Sequence, residues 1–281
     1  MNLKADRISF IINTLVIVIV IAELFPVWWM ILTSIRPQEE WFSILPWTLK
    51  PKLDFYVEVL FGTKYSTELY PRHLLNSIIY SVGSALLTLF VSSLAAYALA
   101  RLKFFGKKFV SRSILFTYLF PSSILSISLF DLMSSYNLLD NPLSVILTMS
   151  TFTSPFCTWV LREYINSSIP VAIDEAAFID GASKLKVFSG IIIPLCAPNI
   201  VSLGMYSFLT TWNEYLYIMI YMSKKTMFTV PITITLAMAG DQIIWGQVMA
   251  MAVLYSVIPV TIYYAFEKYL VKGFLSGAVK A

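Results

Sequence analysis

The chain has 281 residues, of which 58% are hydrophobic and only 13% charged, with a mean hydropathy of +0.76. Soluble domains carry about 25% charged residues, and one core of this size cannot enclose so much apolar surface, so the composition excludes a soluble globule. The net charge of +4 gives no sign of a nucleic-acid partner, and His73, the single histidine, argues against a histidine-based metal or catalytic site.

A membrane-spanning helix needs about 20 mostly apolar residues. Six stretches qualify: Ile8–Ile35, Leu74–Ala100, Phe109–Met133, Pro142–Leu161, Ile191–Tyr221 and Trp245–Leu270. The expected fold class is therefore an all-α membrane protein of six transmembrane helices. The first stretch is too long for a cleaved signal alone, and no small-residue cleavage site follows it. Glu23 lies midway along it, and an ionisable residue inside a span is a functional candidate by default. It could hydrogen-bond a solute, pair with a partner subunit, or sit near the outer interface beside Trp28 and Trp29.

Between the first two spans lies a long loop, Arg36–Arg72. Its Trp41, Phe42, Trp47 and Tyr56 predict a loop that packs. In the second span Ser92, Ala96 and Ala100, like Ser81 and Ala85, recur every four residues. Small residues on one face let helices approach closely in lipid. The fourth span is interrupted by Thr148, Ser150, Thr151, Thr153, Ser154 and Pro155, so it faces protein or a pathway rather than lipid. Cys157 and Cys196 lack metal or redox spacing and read as packing residues.

Lys and Arg set the orientation. Lys4, Arg7, Arg101, Lys103, Lys107, Lys108, Arg112, Arg162, Lys184, Lys186, Lys268, Lys272 and Lys280 fall on one side. Arg36, Lys50, Lys52, Lys64, Arg72, Lys224 and Lys225 fall on the other. The first set places the N- and C-termini in the cytoplasm, together with the stretch between spans four and five.

That stretch, "DEAAFIDGASKLKVFSGIIIPL" from Asp174 to Leu195, carries Asp174, Glu175, Asp180, Lys184 and Lys186. Pro170 suits a helix start. Val171–Ile179 contains no breaker and predicts a short helix, which Gly181 can stop in the left-handed conformation. Ser183–Ser189 predicts a second short helix, and Pro194 follows near the start of span five. Two short helices joined by a tight turn make a stiff knob. Small Ala176 and Ala177 would let it enter a groove, with Glu175 and Asp180 pairing at the rim. A plain surface loop with helical content fits the residues as well.

The motif Glu175-Ala176-Ala177, three residues, Gly181, nine residues, Ile191, one residue, Ile193-Pro194 resembles the EAA signature of permease subunits of ATP-binding-cassette (ABC) importers. The family's signature ends in Leu-Pro; Ile193 here keeps volume and apolar character. Asp174 to Ser183, with Asp180, Gly181 and Ala182, is similar to the carbohydrate-importer branch. "NSIIYSVGSALLTLFVSSLAAYALARLKFFGKK" at Asn76–Lys108 resembles the family's second span with its basic cytoplasmic end, "WNEYLY" at Trp212–Tyr217 its fifth-span motif, and "LVKGFLSGAVKA" at Leu270–Ala281 the tail of subunits like the maltose importer's G-type permease. The resemblance runs from about Leu74 onward.

The resemblance implies an ABC importer type I permease fold in a prokaryotic plasma membrane. It implies a first helix and outer loop over residues 1–71, a core permease domain over 72–270 with its coupling loop at about 168–190, and a cytoplasmic tail over 271–281. The coupling residues would be Asp174, Glu175, Ala176, Ala177, Asp180, Gly181 and Ala182. The implied partners are a second permease, a cytoplasmic ATPase dimer, an extracytoplasmic solute-binding protein, a sugar and the lipid bilayer. Trp212, Asn213, Glu214 and Tyr215, with Glu23, are pathway candidates; helix packing is the rival role. No G-x-x-x-x-G-K-[ST] loop occurs, so ATP and Mg would bind the partner ATPase and the chain itself would hold no cofactor and be no enzyme. The absence of a clear Arg or Lys inside the spans favours a di- or oligosaccharide over a sugar phosphate. Another polar solute such as a polyol or glycerol phosphate, or an ion-coupled secondary transporter, is the alternative; the latter would show intramembrane acids and often inverted repeats.

Overall fold

The computed structural model describes residues 3–41, 43, 45, 47–62, 68–118, 120–239 and 242–278. Phe42, Lys64 and the last three residues of the tail lie outside the described residues. Among the described residues every regular element is helical. The chain divides into one unit of Met1–Pro71 with Thr233–Ile258 and a second of Arg72–Ile232 with Pro259–Ala281.

In the first unit, α1 (Leu3–Ile35) is mostly apolar from Ile8 onward apart from Glu23, exposed over residues 9–28 and buried at Leu32, Thr33 and Ser34. A loop follows, then α2 (Asp54–Phe61). Arg36 organises this loop. It is fully buried and sits 5.1 Å over the Trp29 ring, a cation–π contact. Its guanidinium donates to the carbonyls of Ser43 and Trp47, each at 3.3 Å, and to that of Leu45. Trp41 Nε1 donates to the Arg36 carbonyl at 3.3 Å, and Tyr56 and Ser34 hydroxyls meet at 2.7 Å. Trp41 and Tyr56 thus pack as expected, whereas Trp47 stays exposed. Sequence reading counted Arg36 only as an outer-side cation.

The second unit is built on α3 (Tyr70–Arg101) and α6 (Pro142–Ser168). Pro155 lies inside α6 without ending it. α4 (Lys107–Tyr118) and α5 (Ser126–Ser135) replace the single helix expected over Phe109–Met133. Pro121 sits in extended backbone between them (φ −61°, ψ 119°) and has no N–H to continue the ladder. Span five also departs from one straight helix. Pro198 cannot donate to the carbonyl of Pro194 and its ring crowds that group, so Lys184–Leu195 and Ala197–Trp212 meet at 78°.

A hydroxyl seam joins α3, α6 and α10 (Ala197–Trp212). Thr88 and Thr153 hydroxyls lie 2.7 Å apart, Thr153 and Ser207 3.1 Å, and Ser207 donates to Thr88 at 3.0 Å. Ser150 donates to the Ser84 carbonyl and Ser92 to that of Ser154. Of the polar residues of span four, Thr148, Ser150 and Thr153 are thus buried against protein, Ser154 is half-buried and Thr151 is exposed. Interhelical hydroxyl contacts in membranes contribute about 0.6 kcal/mol and at most about 1.7. Thr153→Val keeps the shape and removes two of these contacts. It is expected to lower stability in detergent by about 1 kcal/mol, read as a lower thermal midpoint; an unchanged midpoint would mean that the seam acts by packing alone.

Later in the unit come α11 (Leu216–Tyr221), a 3-10 turn at Lys225–Met227 and the start of α12 (Val230–Met238), which belongs to the first unit from Thr233 onward. Asp140, in the left-handed region at φ 55°, accepts from the backbone N–H of Ser223 at 2.7 Å and Lys224 at 3.0 Å. The Lys224 N–H bond is the first cause holding its carboxyl below the usual range. α13 (Trp245–Ala278) belongs to the first unit as far as Ile258 and to the second from Pro259.

Four described helices are long and apolar enough to cross a membrane: Ser9–Ile35, Tyr70–Arg101, Pro142–Ser168 and Trp245–Lys268. The bent pair ending at Trp212 makes up to five.

Candidate functional site

The charged stretch folds as two short helices and a turn. α7 runs over Val171–Ile179, the bounds expected from sequence, with Pro170 as its N-cap. Gly181 takes φ +81°, and its N–H donates to the Phe178 carbonyl at 3.0 Å. The Ala182 N–H donates to the Ala177 carbonyl at 2.9 Å. This pair of bonds is the Schellman arrangement, which satisfies the last carbonyls of a helix and needs a left-handed residue at the turn. Ser183 then caps α8 (Lys184–Val187), its hydroxyl accepting from the Lys186 N–H at 3.3 Å.

The second short helix was expected to reach Ser189. Instead the chain widens into a π-turn at Phe188–Ile192 before α9 (Ile193–Leu195). Pro194 cannot donate to the Gly190 carbonyl, and a wider turn relieves that clash.

Burial sorts the candidate residues. Glu175, Ala176, Asp180 and Gly181 are exposed on the knob. Ala177 and Ala182 turn inward, packing on the cluster built from Tyr97, Leu161, Ile165, Ile169, Val187 and Ile192. Asp174 also turns inward. It is only 3% exposed, and its Oδ2 lies 2.5 Å from Arg101 Nε. Arg101 Nη2 donates to the Ile169 carbonyl at 2.6 Å, where α6 ends. Asp174 therefore belongs to the seat of the knob and not to its outer face. Sequence reading treated Arg101 as one cation among the basic residues after span two. Its place in the last turn of an apolar helix, a preferred site for a cation, was the available signal.

Residues Trp212–Tyr217 form a break in span five. Trp212 is buried and stacked on Phe208, ring centroids 5.3 Å apart. Asn213 ends α10, its side-chain amide donating to the Leu209 carbonyl at 2.9 Å. Glu214 Oε1 accepts from the Tyr217 N–H at 2.8 Å, capping α11. Tyr217 OH donates to the Ser122 carbonyl at 2.5 Å. Asn213 and Tyr215 are exposed, while Glu214 is half-buried. The amide and carboxylate thus hold the break open as caps. Non-helical backbone at membrane depth is tolerated only against protein or a wet cavity. Glu23 is exposed on α1, in the other unit. Among the described residues no group of three or more His, Cys, Asp or Glu is placed to hold a metal, and Cys157 and Cys196 are free and buried.

Known proteins resemble this chain over most of its length. Residues 88–276 match the family model described as "binding-protein-dependent transport system inner membrane component". The chain is 32% identical over 98% of its length, and 97% of the relative's, to the inner membrane ABC transporter permease protein YcjP of Escherichia coli K12. It is 33% identical, over 98% and 97%, to the trehalose/maltose transport system permease protein MalG of Thermococcus litoralis. The crystal structure of a bacterial ABC transporter that imports the acidic polysaccharide alginate superposes with a TM-score of 0.82. It covers 95% of this chain and 98% of that one at 23% identity.

Proposed function

The chain belongs to the family of binding-protein-dependent transport inner-membrane components, and from that premise we propose that it imports a sugar, in the range of disaccharides to oligosaccharides. It is a multi-pass inner-membrane permease subunit of an ABC transporter and not the ATPase. Support for the substrate class comes from the relative that serves trehalose and maltose.

In this reading the chain crosses the membrane six times with both termini in the cytoplasm. The helices on either side of Pro121 together make the third pass. Residues 1–71 form the first helix and outer loop, 72–270 the core permease domain and 271–281 the cytoplasmic tail. A second, different permease completes the pathway, a solute-binding protein delivers the sugar outside, and an ATPase dimer holding ATP and Mg docks inside.

The observation that carries this reading is the knob. Glu175 and Ala176 stand exposed on α7, and Asp180 and Gly181 on the turn that the Schellman bonds fix at its end. Glu175 pairs with a basic group of the ATPase, Ala176 allows close approach, and Gly181 makes the turn. Asp174, Ala177 and Ala182 keep that surface in place from beneath. The pathway is assigned to the break in span five, where Asn213 and Tyr215 are exposed beside Trp212 and Glu214; Glu23, exposed on the first span, is a separate pathway candidate within its own unit.

The test is uptake by proteoliposomes holding the whole complex, with labelled maltose, trehalose, chitobiose and a monosaccharide offered in turn. Uptake of a di- or oligosaccharide that needs both internal ATP and the binding protein is the expected result. Uptake driven by an ion gradient without ATP, or of none of the di- or oligosaccharides, would overturn the proposal.

A further inference from the structure

The knob is fastened to two helices, and only one attachment is evident from the order of the chain. It runs covalently into α10 through the π-turn and α9. It is also gripped by the last two turns of α3, a helix more than 70 residues away in sequence. Tyr97 and Arg101 stand four apart and so share one face of α3. Tyr97 OH donates to the Lys184 carbonyl at 3.4 Å, and its ring lies 5.3 Å from that of Phe188. Arg101 holds Asp174 of α7 and the Ile169 carbonyl at once. One face of α3 therefore touches the end of α6, α7 and the α8 segment.

At its other end the same helix holds the segment after span five. His73 Nε2 lies 2.7 Å from the Lys225 carbonyl, Asn76 donates to the carbonyls of Thr226 and Phe228, and Tyr80 OH donates to that of Met227. α3 has 32 residues, about 48 Å at 1.5 Å per residue. No proline interrupts it between His73 and Arg101.

We infer that the Arg101–Asp174 pair is the positioning contact that makes α3 a second transmission arm, carrying displacement of the knob to the Lys225–Phe228 segment. The inference rests on the knob being the ATPase-docking element. The physical ground is the cost of slippage. The Asp174 and Arg101 side chains are only 4% and 8% exposed, and separating them leaves each charge uncompensated. A displaced α7 must drag α3 or break the pair. Span five, in contrast, is bent by 78° just after the knob and broken again after Trp212. It is the softer arm.

The test compares Asp174→Asn, Arg101→Gln and the double variant in the assembled complex. Three quantities are read: recovery of the ATPase, ATP hydrolysis, and sugar transported per ATP. Each single variant is expected to retain the ATPase and to lose about tenfold in transport per ATP, within the range seen for residues that carry coupling. The double variant should fall no lower than the worse single, because both changes remove one contact. Arg101→Lys, which keeps the charge, should recover part of the ratio.

An unchanged ratio in the single variants overturns the inference. So does a double variant whose loss multiplies those of the singles, and so does loss of ATPase recovery in Asp174→Asn, which would make the pair a folding element of the knob. The docking premise fails separately: it falls if Glu175→Lys with Gly181→Trp leaves ATPase recovery intact.

Discussion

With Glu175→Lys and Gly181→Trp combined, the complex is expected to come out of the membrane with its second permease bound and its ATPase missing, and ATP-driven uptake should be abolished. The two changes attack different properties of the knob. Glu175 is exposed on α7. Reversing its charge turns an attraction with a basic partner into a like-charge contact, which at an interface costs on the order of several kcal/mol. Gly181 sits at φ +81°, where an L side chain costs about 1–2 kcal/mol. A Cβ there meets nothing within 4 Å, so the penalty is conformational and the indole projects into the space the partner must fill. Gly181→Asn, which tolerates the left-handed region, should therefore keep most of the binding. Equal ATPase recovery from wild type and the double variant, with uptake intact, would remove the knob from the mechanism.

Asn76→Asp is expected to destabilise the second unit despite being nearly isosteric. Asn76 is 3% exposed and gives both amide hydrogens away, to the carbonyls of Thr226 and Phe228, each at 2.8 Å. Aspartate has the same shape and neither hydrogen. It would leave the carbonyls of exposed Thr226 and half-buried Phe228 without those donors and set carboxylate oxygens of a buried side chain against them, at about 1–3 kcal/mol in all. The expected result is a clearly lower thermal midpoint and poor recovery of folded complex. Asn76→Ala should lose less, because it removes the donors without adding a repulsive group. If Asn76→Asp melts with the wild type, the amide does not hold this segment.

The knob was legible because its determinants are local. Proline at a helix start, an unbroken nine-residue run and a glycine stop act within a few residues, and α7 occupies the predicted Val171–Ile179. The membrane class was legible for a similar reason, since composition alone fixes how much apolar surface needs a solvent other than water. Small residues every four positions likewise marked the face of α3 that is buried, with Ser81, Ser92 and Ala96 each at most 1% exposed.

Continuity of the spans was less legible. Pro155 and Pro121 look alike in a hydropathy window, yet α6 runs through the first while the chain breaks at the second. A freed backbone group survives inside a helix when neighbouring elements accommodate it, and sequence spacing does not record those neighbours. The same limit applies to Asn213 and Glu214, whose polar chemistry marked a pathway and whose side chains cap the two helices that meet there.

The sequence by itself thus determined the solvent of this protein, the site of its charged knob and the turn that shapes it. Only the tertiary structure decided which way each charge faces. Asp174 and Glu175 are adjacent carboxylates of similar reach, but successive residues on a helix point about 100° apart. That rotation sends Glu175 to the surface, and the end of α3, distant in sequence, turns Asp174 into a buried partner of Arg101. Arg36 follows the same logic. Its charge was countable from the chain, but its burial among three carbonyls and the Trp29 ring depended on a loop closing around it.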